Sequence, residues 1–486
     1  MSQTNQIMPN PSKRVLLISP HGHIKRHWFP MALGYLKSNI PARHQVELLD
    51  CTLEEMPPDD IRFTEKLQSF QPDVVGISVS SFMLLESLHH LSVVKRILPH
   101  TCTVMGGPHP SIYGTKVIEH EWVDFVFQGE CELSLPLLLD LLGQEEAYDG
   151  IPGLIFQRGG SIIQNPIQIQ DDLDQIQPPD YHALQLNRYL DAGYNYGGIH
   201  EKSAPIWVTR GCPFRCKFCA ASMINGHAVR THSLSYLDHW IDTLRQDFDI
   251  RQFAIIDDMF TYNNDFAKSF CRHMIQRKAQ GTLDAEIIFT TPNGVHMASI
   301  DEELLRLMKQ AGWKTITIAP ESGSRRILRK MKKGVNPDKV PAIIDMIRHA
   351  GLYARCFFIM GYPGETREEF GQTLQLIRKC RMDAFDIARF IPFPGTPVFD
   401  ELVESKQISP DYIPIHNKKF FVPFQTDLNK KTFTNPGFEK MDLFFIHLWE
   451  YVLLALRNPR CIRFFVSHYG VMNIFKILFS IRKASG

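Results

Sequence analysis

Thr209-Arg210-Gly211-Cys212-Pro213-Phe214-Arg215-Cys216-Lys217-Phe218-Cys219 is the stretch that orders the rest of this sequence. Three cysteines spaced by three residues and then two fit a [4Fe-4S] cube: three thiolates hold three irons, and the fourth iron has no protein ligand. An open iron beside a glycine-bearing loop is a place for a substrate or cofactor to chelate. The competing reading is a zinc site completed by a distant histidine. The other cysteines, Cys51, Cys102, Cys131, Cys271, Cys356, Cys380 and Cys461, are scattered, lie mostly in apolar surroundings and read as reduced core residues.

On both sides of this loop short apolar runs alternate with amphipathic stretches, the βαβ pattern of parallel sheets. Upstream, strands are expected at 15–19, 46–50, 74–79, 103–107 and 123–127, a doubly wound, Rossmann-like α/β domain over 13–145. Ligands of such sheets lie beyond the carboxyl ends of the strands. Those ends are Pro20-His21-Gly22-His23, Ser80-Ser81-Phe82, Gly106-Gly107-Pro108-His109-Pro110-Ser111 and Gln128-Gly129-Glu130. Small residues there allow close approach of a flat ligand, and helix N-termini favour its phosphate. No Gly-x-Gly-x-x-Gly follows the first strand, which speaks against NAD or FAD.

Residues 146–203 read as a connector, with one short strand at 153–156 and a Tyr194-Asn195-Tyr196-Gly197-Gly198 segment that reads as a surface loop or as the lining of a substrate entrance. Over 204–400, strands at 206–209, 253–257, 286–290, 315–319, 356–360 and 387–390 alternate with helices, six βα units and hence a partial (β/α)6 barrel. Barrel chemistry collects at the carboxyl ends of strands. These ends are polar: Asp257-Asp258, Thr291-Pro292-Asn293-Gly294, Glu321-Ser322, Gly361-Tyr362-Pro363-Gly364-Glu365 and Arg389. Asp258 or Glu365 has helix capping as an alternative role, and Arg389 would reach a carboxylate or phosphate or pair with a nearby acid.

The helical region 401–486 carries no acid after Glu450 but keeps Arg457, Arg460, Arg463, Lys476, Arg482 and Lys483. Helices are expected at 441–456 and 471–482, either lying on an anionic membrane surface or covering the barrel mouth. With 486 residues, 22% charged, 44% hydrophobic and net charge +1, the chain has no basic excess for nucleic acid. Its polar first twelve residues lack a secretory h-region, and no apolar run reaches the roughly 18 residues of a spanning helix. A reducing, cytoplasmic setting is expected.

The Cys-x3-Cys-x2-Cys spacing, with Phe218 before the last cysteine, resembles the signature of radical S-adenosylmethionine (SAM) enzymes. The upstream domain, with Gly106-Gly107-Pro108-His109-Pro110 and Gly129-Glu130, resembles the cobalamin-binding domain of the subfamily that includes class B methyltransferases. That resemblance implies SAM chelated to the open iron and cleaved to a 5′-deoxyadenosyl radical. Glu321 and Ser322 would then meet SAM's ribose or methionine end, while Asp257, Asp258, Gly361, Pro363 and Arg389 serve the same cofactor. Cobalamin would lie against His21, Ser80, Ser81, Gly106, Gly107, His109, Gly129 and Glu130. The Asp-x-His-x-x-Gly motif that supplies a lower axial histidine is missing, which implies a corrinoid without one. The activity implied is C-methylation of an unactivated carbon in a natural-product, pigment or lipid-like small molecule, with flavodoxin or ferredoxin as electron donor. Ring formation, oxidation or rearrangement without methyl transfer, and a non-catalytic cobalamin or cluster sensor, stay open. A methylthiotransferase is disfavoured by the lack of a second cysteine triad and of a small β-barrel RNA-binding domain.

Overall fold

The computed structural model describes residues 11–22, 29–196, 199–412, 433–439 and 441–468. His23, Gly197, Gly198 and the helix expected at 471–482 lie outside them. The chain divides into two compact units, Met1–Ala192 with Met223–Gly226, and Gly193–Ser222 with His227–Gly486.

In the first unit, parallel strands β1 (Arg14–Ser19), β2 (Gln45–Asp50), β3 (Val74–Ser78), β4 (Cys102–Gly106) and β5 (Phe125–Phe127) are followed by antiparallel β6 (Leu154–Arg158) and β7 (Ser161–Gln164). Their order is β2-β1-β3-β4-β5-β6-β7. Val15, Leu16, Leu17 and Ile18 are all buried, so β1 has no solvent face, as a strand covered by helices on both sides requires. Strand order reverses between β1 and β3. The crevice at such a switch point is where ligands of open α/β sheets bind, and it opens beside His21 and Ser80-Ser81.

The stretch read as a connector does more than connect. Its β6–β7 hairpin extends the sheet past β5, and buried Asn165 ties the hairpin down by donating to the carbonyls of Tyr148 and Ile151. β7 is a largely exposed edge strand without apolar alternation, which is why its sequence gives no strand signal.

The second unit holds six parallel strands: β8 (Ser203–Ile206), β11 (Gln252–Ile255), β12 (Ile288–Thr290), β13 (Thr315–Glu321), β14 (Tyr353–Met360) and β15 (Ala384–Arg389). A short antiparallel pair, β9 (Thr209–Arg210) with β10 (Arg230–Thr231), brackets the cysteine loop. The six form two triplets, β8-β11-β12 and β13-β14-β15, joined by one parallel bridge between Val295 and Ile318. This is the expected open partial barrel. Ser233, Asn263, Asp301, Ser324 and Thr366 each cap the following helix with a side-chain oxygen, and Thr366 with Glu369 makes a capping box. Phe260, Phe270, Phe289 and Trp313 stack together in the core.

A barrel that stops at six strands leaves β15 as an edge, with backbone groups open to pairing. Helix Leu443–Arg457 closes it. The amide of Ile387 donates to His447 Nε2 at 2.9 Å and that of Phe385 to the Tyr451 hydroxyl at 3.0 Å, while Tyr451 stacks on Phe385. Glu450 is buried against Arg378. The helix thus covers the edge strand of the barrel. No helix among the described residues is long and apolar enough to cross a membrane.

Candidate functional site

The chain enters the cysteine loop at Gly211, whose φ of +102° turns it out of β9. Asp257, fully buried at the end of β11, fixes the entry: Oδ1 accepts from the amide of Val208 at 2.8 Å and Oδ2 from that of Thr209 at 2.7 Å. Burial pushes this carboxyl up to about 8, against the two amides that favour its charge. Both oxygens therefore serve the loop's backbone. Strand pairing consequently ends at Ile206, short of the Thr209 that apolar character suggests, and resumes as β9.

Within the loop, Lys217 is held from two sides. Its amide donates to the carbonyl of Met331 at 2.9 Å, its carbonyl accepts from Val398 at 3.1 Å, and its ammonium pairs with Glu401. Phe218 packs on a core of Ile327, Leu328, Met331, Tyr362, Phe390, Val398 and Leu402. These contacts set the backbone between Cys216 and Cys219.

Cys212 and Cys216 are half-buried and Cys219 lies on the exposed side of the loop. Desolvation raises all three thiols, that of Cys219 to about 11, and each also feels its neighbours' charge. The charge of Asp258 adds to the upward shift of Cys212 and Cys219. Thiolates disfavoured by burial need a bound cation to be stable, and metal binding would displace their protons. No group of three or more His, Cys, Asp or Glu side chains among the described residues is arranged for a single metal ion. Three cysteines on one short loop can supply one thiolate to each of three irons, so the residues fit a [4Fe-4S] cluster.

Lys333 is the site residue that the sequence hides. Its Nζ lies 2.9 Å from Glu321 Oε1 and 5.9 Å from the centre of the Phe218 ring. Desolvation lowers its pKa, but Glu321, Cys216 and Cys219 outweigh it and the net shift is upward. Its charge in turn stabilises the thiolates of Cys212 and Cys216. In sequence it closes a Lys330-Met331-Lys332-Lys333 run that reads as a solvated helix end. Only the return of the chain after helix Arg325–Lys330 brings it to Glu321, which sits at φ +66° at the end of β13.

Ser322 is fully buried and accepts from the amide of Ser324 at 3.1 Å. Gly361 (φ +79°) donates its amide to Glu365 Oε2 at 2.7 Å, closing a turn that includes buried Tyr362 and Pro363. Burial pushes the Glu365 carboxyl up to about 7. Glu365 closes this turn, and the capping role next to it falls to Thr366. Arg389 donates to the carbonyls of Met441 at 2.8 Å and Phe438 at 3.4 Å, and so engages the segment leading into the C-terminal helix.

In the first unit, β3 and β4 bring Ser81, Gly106, Gly107 and His109 together. Ser81 Oγ lies 3.0 Å from His109 Nδ1 with both side chains buried, and desolvation holds the imidazole near 4, neutral at physiological pH. Gly107 (φ +98°) must be glycine, since a Cβ there would sit 2.9 Å from the Val79 amide nitrogen. Ser111 Oγ donates to the Gly107 carbonyl and accepts from the Gly129 amide, linking the ends of β4 and β5. His21, Ser80 and Glu130 are half-buried at neighbouring strand ends, and His21 lies close enough to His90 to lower its pKa. Small residues at the switch point and an inward-turned His109 fit a corrinoid without a histidine lower ligand.

A parallel partial barrel with an open three-cysteine loop, joined to a 2-1-3-4-5 sheet, defines a class. Residues 206–377 match the radical SAM superfamily and residues 21–139 match the B12 binding domain. The barrel of the second unit is thus similar to radical SAM domains, and the sheet of the first unit to B12-binding domains. An uncharacterized methyltransferase of Pyrococcus horikoshii is 29% identical over 373 residues, 76% of this chain and 78% of that protein. An anaerobic magnesium-protoporphyrin IX monomethyl ester cyclase of Rubrivivax gelatinosus is 24% identical, over 81% of this chain and 71% of its own. The fold is also that of the radical SAM methyltransferase TsrM from Kitasatospora setae, solved with tryptophan and a SAM analogue. TsrM is 18% identical at a TM-score of 0.71, over 91% of this chain and 89% of TsrM.

Proposed function

We propose that this chain is a cobalamin-dependent radical SAM C-methyltransferase acting on an unactivated carbon of a small natural-product, pigment or lipid-like substrate. The observation that carries the proposal is the presence in one chain of a cluster-type cysteine loop on a partial parallel barrel and of a B12-binding sheet with small residues at its switch point. When bound, the cluster supplies the electron that makes a 5′-deoxyadenosyl radical from SAM, and cobalamin supplies a methyl carrier.

The residues would divide the work as follows. Cys212, Cys216 and Cys219 hold three irons, while Lys217, Phe218 and Asp257 keep the loop in place. Lys333 and Glu321 set the charge beside the cluster, with Asp258 on the cysteine side. The Gly361-Tyr362-Pro363 turn and Ser322 shape the SAM pocket, and His21, Ser80, Ser81, Gly106, Gly107, His109, Gly129 and Glu130 bind and orient the corrinoid. A flavodoxin or ferredoxin delivers the electron. The protein works in the cytoplasm, peripheral to the inner face of the membrane.

The second reading, ring closure without methyl transfer, is favoured by the likeness to the Rubrivivax cyclase. Anaerobic reconstitution with iron, sulfide, SAM and reductant, with and without cobalamin and with candidate substrates, separates the two. Methyl transfer predicts cobalamin-dependent S-adenosylhomocysteine together with 5′-deoxyadenosine; deoxyadenosine alone favours the cyclase reading. Retained deoxyadenosine release in Cys216→Ala would sink the cluster assignment.

A further inference from the structure

We propose that the outer face of helix Leu443–Arg457, continued by Ile462 and Val466, docks on an anionic lipid bilayer. The inference deepens the peripheral-membrane part of the proposed function by assigning it a surface. The inner face of the helix is committed: Leu443, His447, Glu450 and Leu454 are buried. Its outer face is apolar and open. Phe445 is 64% exposed, Leu448 41%, Trp449 60%, Val452 44% and Leu456 77%. At the helical repeat these five positions fall within an arc of roughly 100°. Ile462 and Val466, one helical turn apart in the next segment, are 56% and 43% exposed.

A stripe of this kind is uncommon on a protein that meets only water. The other exposed residues between 443 and 468 are Arg457, Pro459, Arg463 and Ser467. The one acid on the helix, Glu450, is turned inward to Arg378, and Asp442 stands just before the first turn. From residue 451 to 486 the sequence has no Asp or Glu but has Arg457, Arg460, Arg463, Lys476, Arg482 and Lys483. Large aliphatics, a Trp and a Phe beside the exposed Arg457 and Arg463 match the interface of a bilayer with negative headgroups. A second copy of the chain would bring like-charged arginines together across a twofold axis.

The test is flotation of the anaerobically reconstituted holoprotein with phosphatidylcholine vesicles containing about 30 mol% phosphatidylglycerol, and with phosphatidylcholine alone. The wild type is expected to bind the anionic vesicles and to bind neutral ones about tenfold more weakly. Trp449→Ser/Leu456→Ser should lose about tenfold or more in affinity, and Arg463→Gln about fivefold. All variants should keep deoxyadenosine release, because these side chains are exposed and far in sequence from the cysteine loop. Equal binding by the wild type and the Trp449/Leu456 variant overturns the proposal, as does failure to float with either vesicle. A wild-type dimer that the same variant dissociates assigns the face to a second copy and also overturns it. S-adenosylhomocysteine formation in vesicle-free solution reads the enzymatic proposal separately, so the two can fail independently.

Discussion

Replacing Lys333 by methionine removes the cation that faces Glu321 at 2.9 Å, with 18% and 9% of the two side chains exposed. At that separation two unit charges attract by about 6 kcal/mol for an effective dielectric of about 20. Desolvation of both partners offsets most of this, so the intact pair adds little net stability. Removing one partner leaves a buried carboxylate alone, and the expected loss from Lys333→Met is about 3 kcal/mol. Glu321→Gln should cost a similar amount by stranding the ammonium. The double variant should cost less than the sum, with a coupling of about 2 kcal/mol. Denaturant unfolding of the cluster-free protein under argon, followed through buried Trp240 and Trp313, reads the barrel unit. Strictly additive losses would refute the argument that these two groups are paired out of water. Iron bound per chain after reconstitution is the companion readout, and it should fall in Lys333→Met because the charge that stabilises the cysteine thiolates is gone.

Asp257→Asn puts an amide NH2 opposite a backbone N–H at Val208 or Thr209, and should cost about 1–3 kcal/mol and lower iron incorporation; unchanged iron content would contradict a positioning role. Gly107→Ala forces a Cβ against the backbone of Val79 at a φ of +98°, and should destabilise the N-terminal unit by about 3 kcal/mol; a thermal midpoint equal to the wild type would refute it. Desolvation holds His90 and His109 near 4 in the folded chain, against about 6.5 when unfolded. Between those values the unfolded chain binds more protons, so this stability is complete above about pH 6.5 and is lost as pH falls toward 4. A midpoint for the N-terminal unit that stays flat from about pH 7.5 to about pH 5 would count against it.

What was legible in the sequence was what is local. The three cysteines and the buried run Val15–Ile18 declare themselves by spacing and composition, and they lead to both folds. The β7 edge escaped because an exposed strand has no hydrophobic alternation to display. Lys333 escaped because its partner lies twelve positions back and meets it only through the turn after a short helix. Asp257 was legible as a strand-end acid, but not as the residue whose two oxygens hold Val208 and Thr209, since backbone partners leave no mark in composition. The C-terminal helix was visible as apolar and basic. Which of its faces was spoken for depended on His447 and Tyr451 reaching the amides of β15.

That last contact also bears on how the protein is made. β15 ends at Arg389 and its cover begins at Leu443, 54 residues later. At about 5–20 residues per second, the ribosome delivers the cover roughly three to eleven seconds after the strand. For that interval the nascent chain carries a finished parallel sheet with a bare rim, and a neighbouring nascent chain on the same message carries the same rim. Translation speed over 390–443 therefore sets how long the two are able to pair wrongly, and a slow codon there would raise the yield of aggregates without altering one residue of the mature enzyme.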